Sequence, residues 1–543
     1  MLNAGWAQGK PECPRIKALN TMATRLLIPS LCFVLCASSL HAQTLLKSPP
    51  PPANEPSLVI NPLNPQQRIL GTNVNLLFTS DDAGNTWQQR EVRSTLGFYG
   101  DPVLIADKQG VYYLCHLAQN NKLVWPEWFD RIVVQRSTDG GKSFTDGCGV
   151  GWHEGKVQDK PWMALDEMNR SPYKGRLYLA WTEFDRYGSK NPADSSRIRF
   201  AYSDNGGDTF SVPVVVSDSL GDCADGDNTV EGATMAVNRD GEVLLCWAAH
   251  NKIYLDKSSD GGKTWGTDQL IAIQHDGWEQ DFSGVMRANG MPFITADAHG
   301  GIYIVWSDRL ILRERNNETT SDCDVFYRYS KNGGQDWGPV QRLNNDGNSG
   351  TDQYMPHIST DPRNGKAYVL FYDRRHSSEN VFMDVYLAEL RNGKMLRQVR
   401  VTNAAAAPAG KEEFFGDYIA VSAAGKHIGT AYTMLRDGTV TVETRNFRSK
   451  ELQARQDFTP QPYLDVYAEK RSDRFFIHYA YPGVKGFSLR LYRMNELVYT
   501  QGFNRPVRSE GDVMLPKSRF RKGLYEAVME SNLGKVSYRF YLD

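Results

Sequence analysis

The residues of this chain best suited to chemistry stand at the openings of seven similar apolar segments. These read Glu55-Pro-Ser-Leu-Val-Ile, Asp101-Pro-Val-Leu-Ile-Ala-Asp, Lys160-Pro-Trp-Met-Ala-Leu-Asp, Glu231-Gly-Ala-Thr-Met-Ala-Val, Met291-Pro-Phe-Ile-Thr-Ala-Asp, Met355-Pro-His-Ile-Ser-Thr-Asp and Gly416-Asp-Tyr-Ile-Ala-Val-Ser. Asp101, Asp159, Lys160, Trp162, Glu231, Tyr354, Asp417 and Tyr418 lie at or beside them. Carboxylates accept hydroxyl protons and aromatic rings stack on the apolar face of a sugar, so a funnel rimmed by these residues suits sugar binding. Taken singly, each has a plainer reading, because an Asp or Pro at a strand start fixes the turn. Only their convergence would make a site.

A second set closes the strand that follows each opening: Glu183 and Asp185, His250, Asp308-Arg309, Asp373-Arg374-Arg375 and Arg436. The repeated Asp-Arg endings predict ion pairs between neighbouring sheets. Arg309, Arg374 and Arg375 are the members that could instead turn inward and hold a carboxylate in a bidentate pair. The acidic loop Asp218-Ser-Leu-Gly-Asp-Cys-Ala-Asp-Gly-Asp-Asn228 could bind a structural Ca²⁺ through its clustered oxygens, or be a solvated loop; it lacks EF-hand spacing. No other metal or cofactor is required.

The elements that must position these residues announce themselves by a second repeat. Ser258-Ser-Asp-Gly-Gly-Lys-Thr-Trp265 has near-copies at residues 80–87, 137–144, 203–210 and 330–337, spaced by 57, 66, 55 and 72 residues. A fixed recurrence on this scale signals a tandem array of supersecondary units. An apolar run such as Arg131-Ile-Val-Val-Gln-Arg136 precedes each box and another strand begins at its aromatic, so the box is a hairpin turn. Gly84, Gly141, Gly207, Gly262 and Gly334 fall where the turn needs positive φ, and Asp82, Asp139 and Asp260 can accept backbone N–H bonds across it. Asn205 and Asn332 keep an acceptor oxygen without the charge, which makes the position structural. The closing Trp or Phe is expected to pack between adjacent sheets.

The five boxes resemble the Asp-box, or BNR, repeat of the sialidase superfamily and related β-propellers. The resemblance implies an all-β propeller with the boxes on outer hairpins, away from the substrate face. Seven strand openings predict seven blades; if the segment at Glu55 only completes the last sheet, the number is six. Further implications concern the site. A sialidase holds the sugar carboxylate with an arginine cluster, protonates the leaving oxygen with an Asp, and attacks with a Tyr activated by a Glu. Glu231 and the strand after it resemble the segment carrying that Glu. Asp101 or Asp159 would be the acid, and Tyr418 or Tyr372 the nucleophile. The chain departs from the pattern at Arg68-Ile-Leu, which only echoes the family's Arg-Ile-Pro, and at Ala249-His250, where an arginine should stand. Carboxylate binding would then fall to Arg309, Arg374 or Arg375.

Three functions compete on this reading. The first is an exo-glycosidase of sialidase-like fold. The second is a non-catalytic propeller that binds glycan or protein through Trp162 or Tyr418. The third is a polysaccharide lyase, which would need a His or Tyr base beside an Arg, such as His116 with Tyr187.

The rest of the sequence sets the frame. With 62 basic and 63 acidic residues the formal charge is −1, which removes any bulk-electrostatic case for nucleic acid. Aromatics at 11% and 47 glycines fit many short strands. Residues 1–42 read as a secretory signal peptide, with Met22 an alternative start, and the apolar run is too short to span a membrane. The expected setting is the cell exterior or surface, the expected partner a glycan or glycoprotein, and the expected state a monomer. A proline-rich spacer is expected over 43–54, the propeller over 55–447, a linker over 448–457 and a small β-sandwich over 458–543. Residues 488–542 resemble C-terminal sorting domains of a Bacteroidota secretion system. Five cysteines remain after the leader; Cys115–Cys148 and Cys223–Cys246 are the disulfides suggested by proximity, with buried thiols the alternative.

Overall fold

The computed structural model describes residues 43–46, 53–297, 299–315, 318–346, 350–436, 438–454, 463–468, 473–480, 486–503, 510–531 and 534–542. The leader expected over residues 1–42, and residues 47–52 of the proline-rich stretch, lie outside them.

The chain is an all-β propeller. From Thr44 to Arg448, seven four-stranded antiparallel sheets follow one another among the described residues. The first runs Ser57–Ile60, Arg68–Thr72, Leu76–Ser80 and Gln88–Glu91, each strand paired with the next. The innermost strands are Ser57–Ile60, Val103–Ala106, Val157–Leu165, Glu231–Val237, Phe293–Ala296, Gln353–Thr360 and Ala420–Ala424. Each touches the next and the last returns to the first, so the sheets form a closed ring. Closure leaves no long sheet edge free to pair with another chain.

The seventh sheet is built from both ends of this region. Thr44–Leu46 adds to the outer edge of Thr439–Arg448, with Thr44 opposite Thr444 and Leu46 opposite Val442. The start of the stretch expected to be an exposed spacer is therefore a strand. Leu46 and Ala53 are buried with Leu58, Ala420, Ala431 and Val442, and this apolar burial fixes the segment despite the prolines that follow. The segment at Glu55 opens a sheet of its own and does not complete the last one.

The five boxes join the third strand of a sheet to its fourth. In the box at 258–265, Ser258 Oγ donates to Asp260 Oδ1 at 2.8 Å and accepts from the Gly262 N–H at 2.8 Å, while Asp260 accepts from the Thr264 backbone and hydroxyl. The same bonds recur at Ser80, Ser137, Ser203 and Ser330. Burial alone would raise the Asp260 carboxyl, but the donors from Thr264, Ser258 and Lys263 hold it down to about 2. Gly262 has φ +88°, and a Cβ there would meet the Phe200 ring of the preceding sheet at 2.2 Å. Trp265 packs edge-on against that ring, centroids 4.8 Å apart, so the box aromatic does bridge two sheets.

All five described cysteines are free thiols. Cys115 and Cys148 are both registered against Val134 on opposite sides, two strand spacings or about 10 Å apart, beyond the reach of a disulfide. Cys223 and Cys246 are each buried among apolar side chains in different core clusters.

After the short helix Ser449–Ala454, a three-stranded sheet (Tyr463–Ala468, Arg474–Ala480, Glu510–Pro516) faces a four-stranded one (Glu496–Phe503, Phe487–Arg493, Gly523–Ser531, Gly534–Leu542). Phe475, Ile477, Leu489, Leu491, Ala527 and Met529 fill the space between them, which makes a β-sandwich. The sandwich is locked to the sixth sheet of the ring. Arg400 donates to Asp384 and, bidentately at 2.7 Å each, to Glu510. Glu510 also accepts from His478, whose other ring nitrogen meets Asp512. Val381, Phe382, Ala405, Ala407, Tyr467 and Phe476 form the apolar part of the interface.

Candidate active site

The inner strands carry unusual backbone at one end. Glu55, Asp101, Lys160 and Met355, each followed by proline, have φ between 47° and 51°. This left-handed conformation is unfavourable for a residue with a Cβ and more so before proline, so the surrounding packing must enforce it. Pairing with the second strand also slips between Asp159 and Trp162, between Glu231 and Thr234, and between Tyr354 and His357. Such bulges re-aim side chains. Glu55, Asp101 and Lys160 thereby leave the ladder and line a central mouth.

The mouth is a cavity of about 630 Å³. Glu55, Asp101, Asp159, Glu412 and Glu413 supply carboxyls to its wall, Lys160 and Arg287 supply cations, and Tyr99, Trp125, Phe129, Tyr187 and Phe414 supply rings. Lys160 Nζ lies 2.5 Å from Asp417 Oδ2 and 3.3 Å from Asp101 Oδ2. Arg287 clasps Asp417 with two nitrogens, Nε lying 3.1 Å from Oδ1, and reaches Asp225 Oδ2 with Nη1 at 3.0 Å. That Asp225 oxygen also accepts the Tyr187 hydroxyl, and the Trp278 indole donates to Oδ1 at 3.0 Å. Arg287 Nη1 lies 3.5 Å from Tyr187 Oη. Gly232 makes this possible: its φ is +73°, and a Cβ would strike the Trp278 ring at 2.5 Å.

Burial and crowding drive the acids apart in character. Burial pushes Asp159 up to about 7; Asp101 and Asp225 add to the rise while Lys160 opposes it. Glu55 is raised well above the carboxylate range, by burial first and then by Asp101 and Asp417. Burial would raise Asp417 as well, but Arg287 and Lys160 override it and hold that carboxyl down to about 2. One environment thus contains an acid able to give a proton near neutrality and a carboxylate fixed in its charged form, a separation characteristic of acid–base sites. Burial raises the Tyr187 hydroxyl, and Asp225 and Asp159 raise it further.

Of the residues singled out from sequence, Asp101, Asp159, Lys160 and Asp417 meet here. Glu231 sits behind them, fully buried, with neither carboxyl oxygen hydrogen-bonded; burial, then Asp225 and Asp159, raise it well above the ordinary carboxylate range. Neither oxygen accepts a tyrosine hydroxyl. Tyr418 is buried and donates to the Pro102 carbonyl, Tyr372 donates to the Thr433 carbonyl, and neither lines the mouth. Trp162 packs on Phe293 and His357 beside a separate cavity of about 310 Å³ among the inner strands. Tyr354 stacks on Phe282 within the core. Arg374 is buried and donates to the Asn380 and Ser283 carbonyls; Arg375 pairs with Asp373, and Arg309 with Asp276 and Asp352. These three arginines brace sheets and do not line the mouth. His116 is stacked on Phe98 and bonded to Gln135, with burial lowering it to about 4; Tyr187 has Arg287 as its neighbour instead.

Sequence reasoning missed Glu55, Asp225 and Arg287 as site residues and gave Tyr187 a different partner. Glu55 had a signal, the same place before proline as Asp101 and Lys160. Asp225 was hidden in the acidic loop, where Asp222 Oδ1 accepts from Ala224 and Thr229 and Asp227 Oδ1 accepts from Glu279. Among the described residues no group of three or more His, Cys, Asp or Glu could hold a metal ion. Arg287 lies between the short strands Glu279–Gln280 and Ala288–Asn289, outside either repeat, and nothing in the sequence marks it.

No family model matches the chain, and no curated protein matches it. Solved structures do. An α-L-arabinanase from Penicillium chrysogenum is 17% identical over 64% of this chain and 93% of its own, with a TM-score of 0.41. The NanB sialidase from Streptococcus pneumoniae is 9% identical over 71% and 84%, with a TM-score of 0.42. An ulvan lyase of a polysaccharide lyase family is 10% identical over 77% and 95%, with a TM-score of 0.39. At these identities and TM-scores the likeness says nothing about the site, whose chemistry rests on its own residues.

Proposed function

We propose that this protein hydrolyses a glycosidic bond in the central mouth, with Asp159 as general acid and Tyr187 as nucleophile. The observation that carries the reading is the Tyr187–Asp225–Arg287 contact in the same cavity as an acid raised to about 7. Tyr187 Oη attacks the anomeric carbon while its proton passes to Asp225 Oδ2, and Asp159 protonates the departing glycosidic oxygen. Arg287 Nη1 steadies charge developing on the phenolic oxygen. Water then attacks the same carbon, giving its proton to Asp159, and Tyr187 leaves and recovers its proton from Asp225. The aromatic wall supplies stacking surface for the sugar ring. The apolar segment within residues 24–43 and the resemblance of residues 488–542 to sorting domains support action outside the cell, on glycans or glycoproteins.

The test is turnover of a panel of chromogenic aryl glycosides by wild-type protein and by Tyr187→Phe, which keeps the ring. Turnover cut at least about a thousandfold by that substitution supports the assignment; turnover that survives it removes Tyr187 from the mechanism. A β-eliminating lyase is the second reading, favoured by the tyrosine standing beside an arginine. It would release an unsaturated product absorbing in the near ultraviolet, which hydrolysis would not.

A further inference from the structure

We infer that the mouth takes an uncharged sugar and turns away carboxylated and sulfated ones, an inference that rests on the glycosidase reading of the same cavity. Recognition of an anionic sugar requires a cation with donors to spare, preferably a guanidinium presenting a free bidentate edge. Lys160 and Arg287 are the cations among the described residues lining the cavity, and both are already engaged. Asp417 holds Lys160 on one side and two nitrogens of Arg287 on the other. Asp101 takes a further position on Lys160, and Asp225 takes Arg287 Nη1. The arginines of neighbouring sheets cannot replace them, since Arg309, Arg374 and Arg375 are committed to Asp276, Asp352, Asp373 and backbone carbonyls.

The rest of the wall points the same way. Five carboxyl side chains line the cavity against two basic ones. A substrate carboxylate or sulfate would bring only acceptors to a wall already rich in acceptors, without a counter-ion to offset its desolvation. Sugar hydroxyls bring donors, which Glu55, Asp101 and Glu413 can accept. Tyr99 and Phe129, 4.8 Å apart edge to face, and Trp125 at the rim beside Tyr187 offer the apolar surface that a neutral ring face covers.

Matched pairs of aryl hexosides and aryl hexuronides, identical but for the carboxylate at C6, test this directly, together with an aryl sialoside. Wild-type protein is assayed for turnover, and Asp159→Asn is titrated calorimetrically with the same compounds so that binding is read without cleavage. The expected result is binding and cleavage of at least one neutral hexoside or pentoside, with hexuronides and sialoside neither bound nor cleaved. Cleavage or tighter binding of a hexuronide or sialoside overturns the inference and leaves the glycosidase reading intact. Binding of neutral glycosides without turnover overturns the glycosidase reading and leaves the charge selectivity standing. Binding of neither class overturns both. Asp417→Asn, which removes the carboxylate shared by both cations and leaves Lys160 to Asp101 and Arg287 to Asp225 alone, is expected to raise affinity for a hexuronide by about tenfold. Asp101→Asn, which takes one of its two carboxylates from Lys160, gives the same direction if the first variant fails to fold, and no gain in either folded variant counts against the inference.

Discussion

At Asp159, burial and two neighbouring carboxylates work against one ammonium, and burial wins. Because the group rises from its ordinary 3.8 to about 7, it is protonated below that value and ionised above it. A general acid must carry its proton into the reaction, so kcat/KM should fall as pH rises through about 7, and the alkaline limb should disappear in Asp159→Asn along with roughly 10²–10⁴ of the rate. A pH–rate profile on an aryl glycoside checks both. Lys160 tests the other side of the balance. It is buried between Asp101 and Asp417, and Lys160→Met would take the cation from Asp101 and leave Asp417 to Arg287 alone, a loss of about 3–5 kcal/mol measurable by denaturant unfolding.

The elements show how a repeated turn holds the ring's geometry far from its chemistry. Each box ties a serine hydroxyl, an Asp or Asn oxygen and a left-handed glycine into one knot, and its aromatic reaches across to the adjacent sheet. Gly262→Ala meets two obstacles, a φ of +88° and the Phe200 ring 2.2 Å from the added carbon. A loss of roughly 2 kcal/mol is expected, seen as a lower melting temperature with unchanged pH dependence of activity, since the box does not touch the mouth. The inner strands put local strain to the opposite use. At Glu55, Asp101 and Lys160 a costly backbone conformation points polar side chains at the cavity, and the ladder on either side keeps them there.

For the molecule as a whole, two joints matter. The ring closes through Thr44–Leu46, so a chain beginning at Ala53 should melt earlier, having lost Leu46 and an edge of the seventh sheet. The sandwich is docked through buried ionic groups. Burial would lower His478, but Asp512 and Glu510 outweigh it and lift the imidazole from 6.5 to about 10. Its contribution is therefore complete below about pH 6.5 and is lost as pH rises through about 10. Burial would raise Glu510, yet His478 and Arg400 hold it well below its ordinary 4.5, so its contribution is complete above 4.5 and is lost on acidification. Docking should be firmest between these limits. Calorimetric unfolding from pH 6 to 11 should show a declining transition that flattens in His478→Gln.

Much of this could be read from local spacing. The boxes, the openings before proline and the alternation of strand and turn are set by short-range backbone and packing requirements, so the all-β class and the convergence of Asp101, Asp159, Lys160 and Asp417 followed from sequence. Which side chains face the mouth did not, because a bulge or a left-handed residue reverses the direction of a strand side chain: Lys160 faces the mouth, whereas Trp162 and Tyr418 line the separate cavity among the inner strands. Nor could spacing reveal Arg287 and Asp225, or the N-terminal strand that completes the last sheet. Their partners lie as far as 130 and nearly 400 residues away, and only closure of the ring brings them into contact.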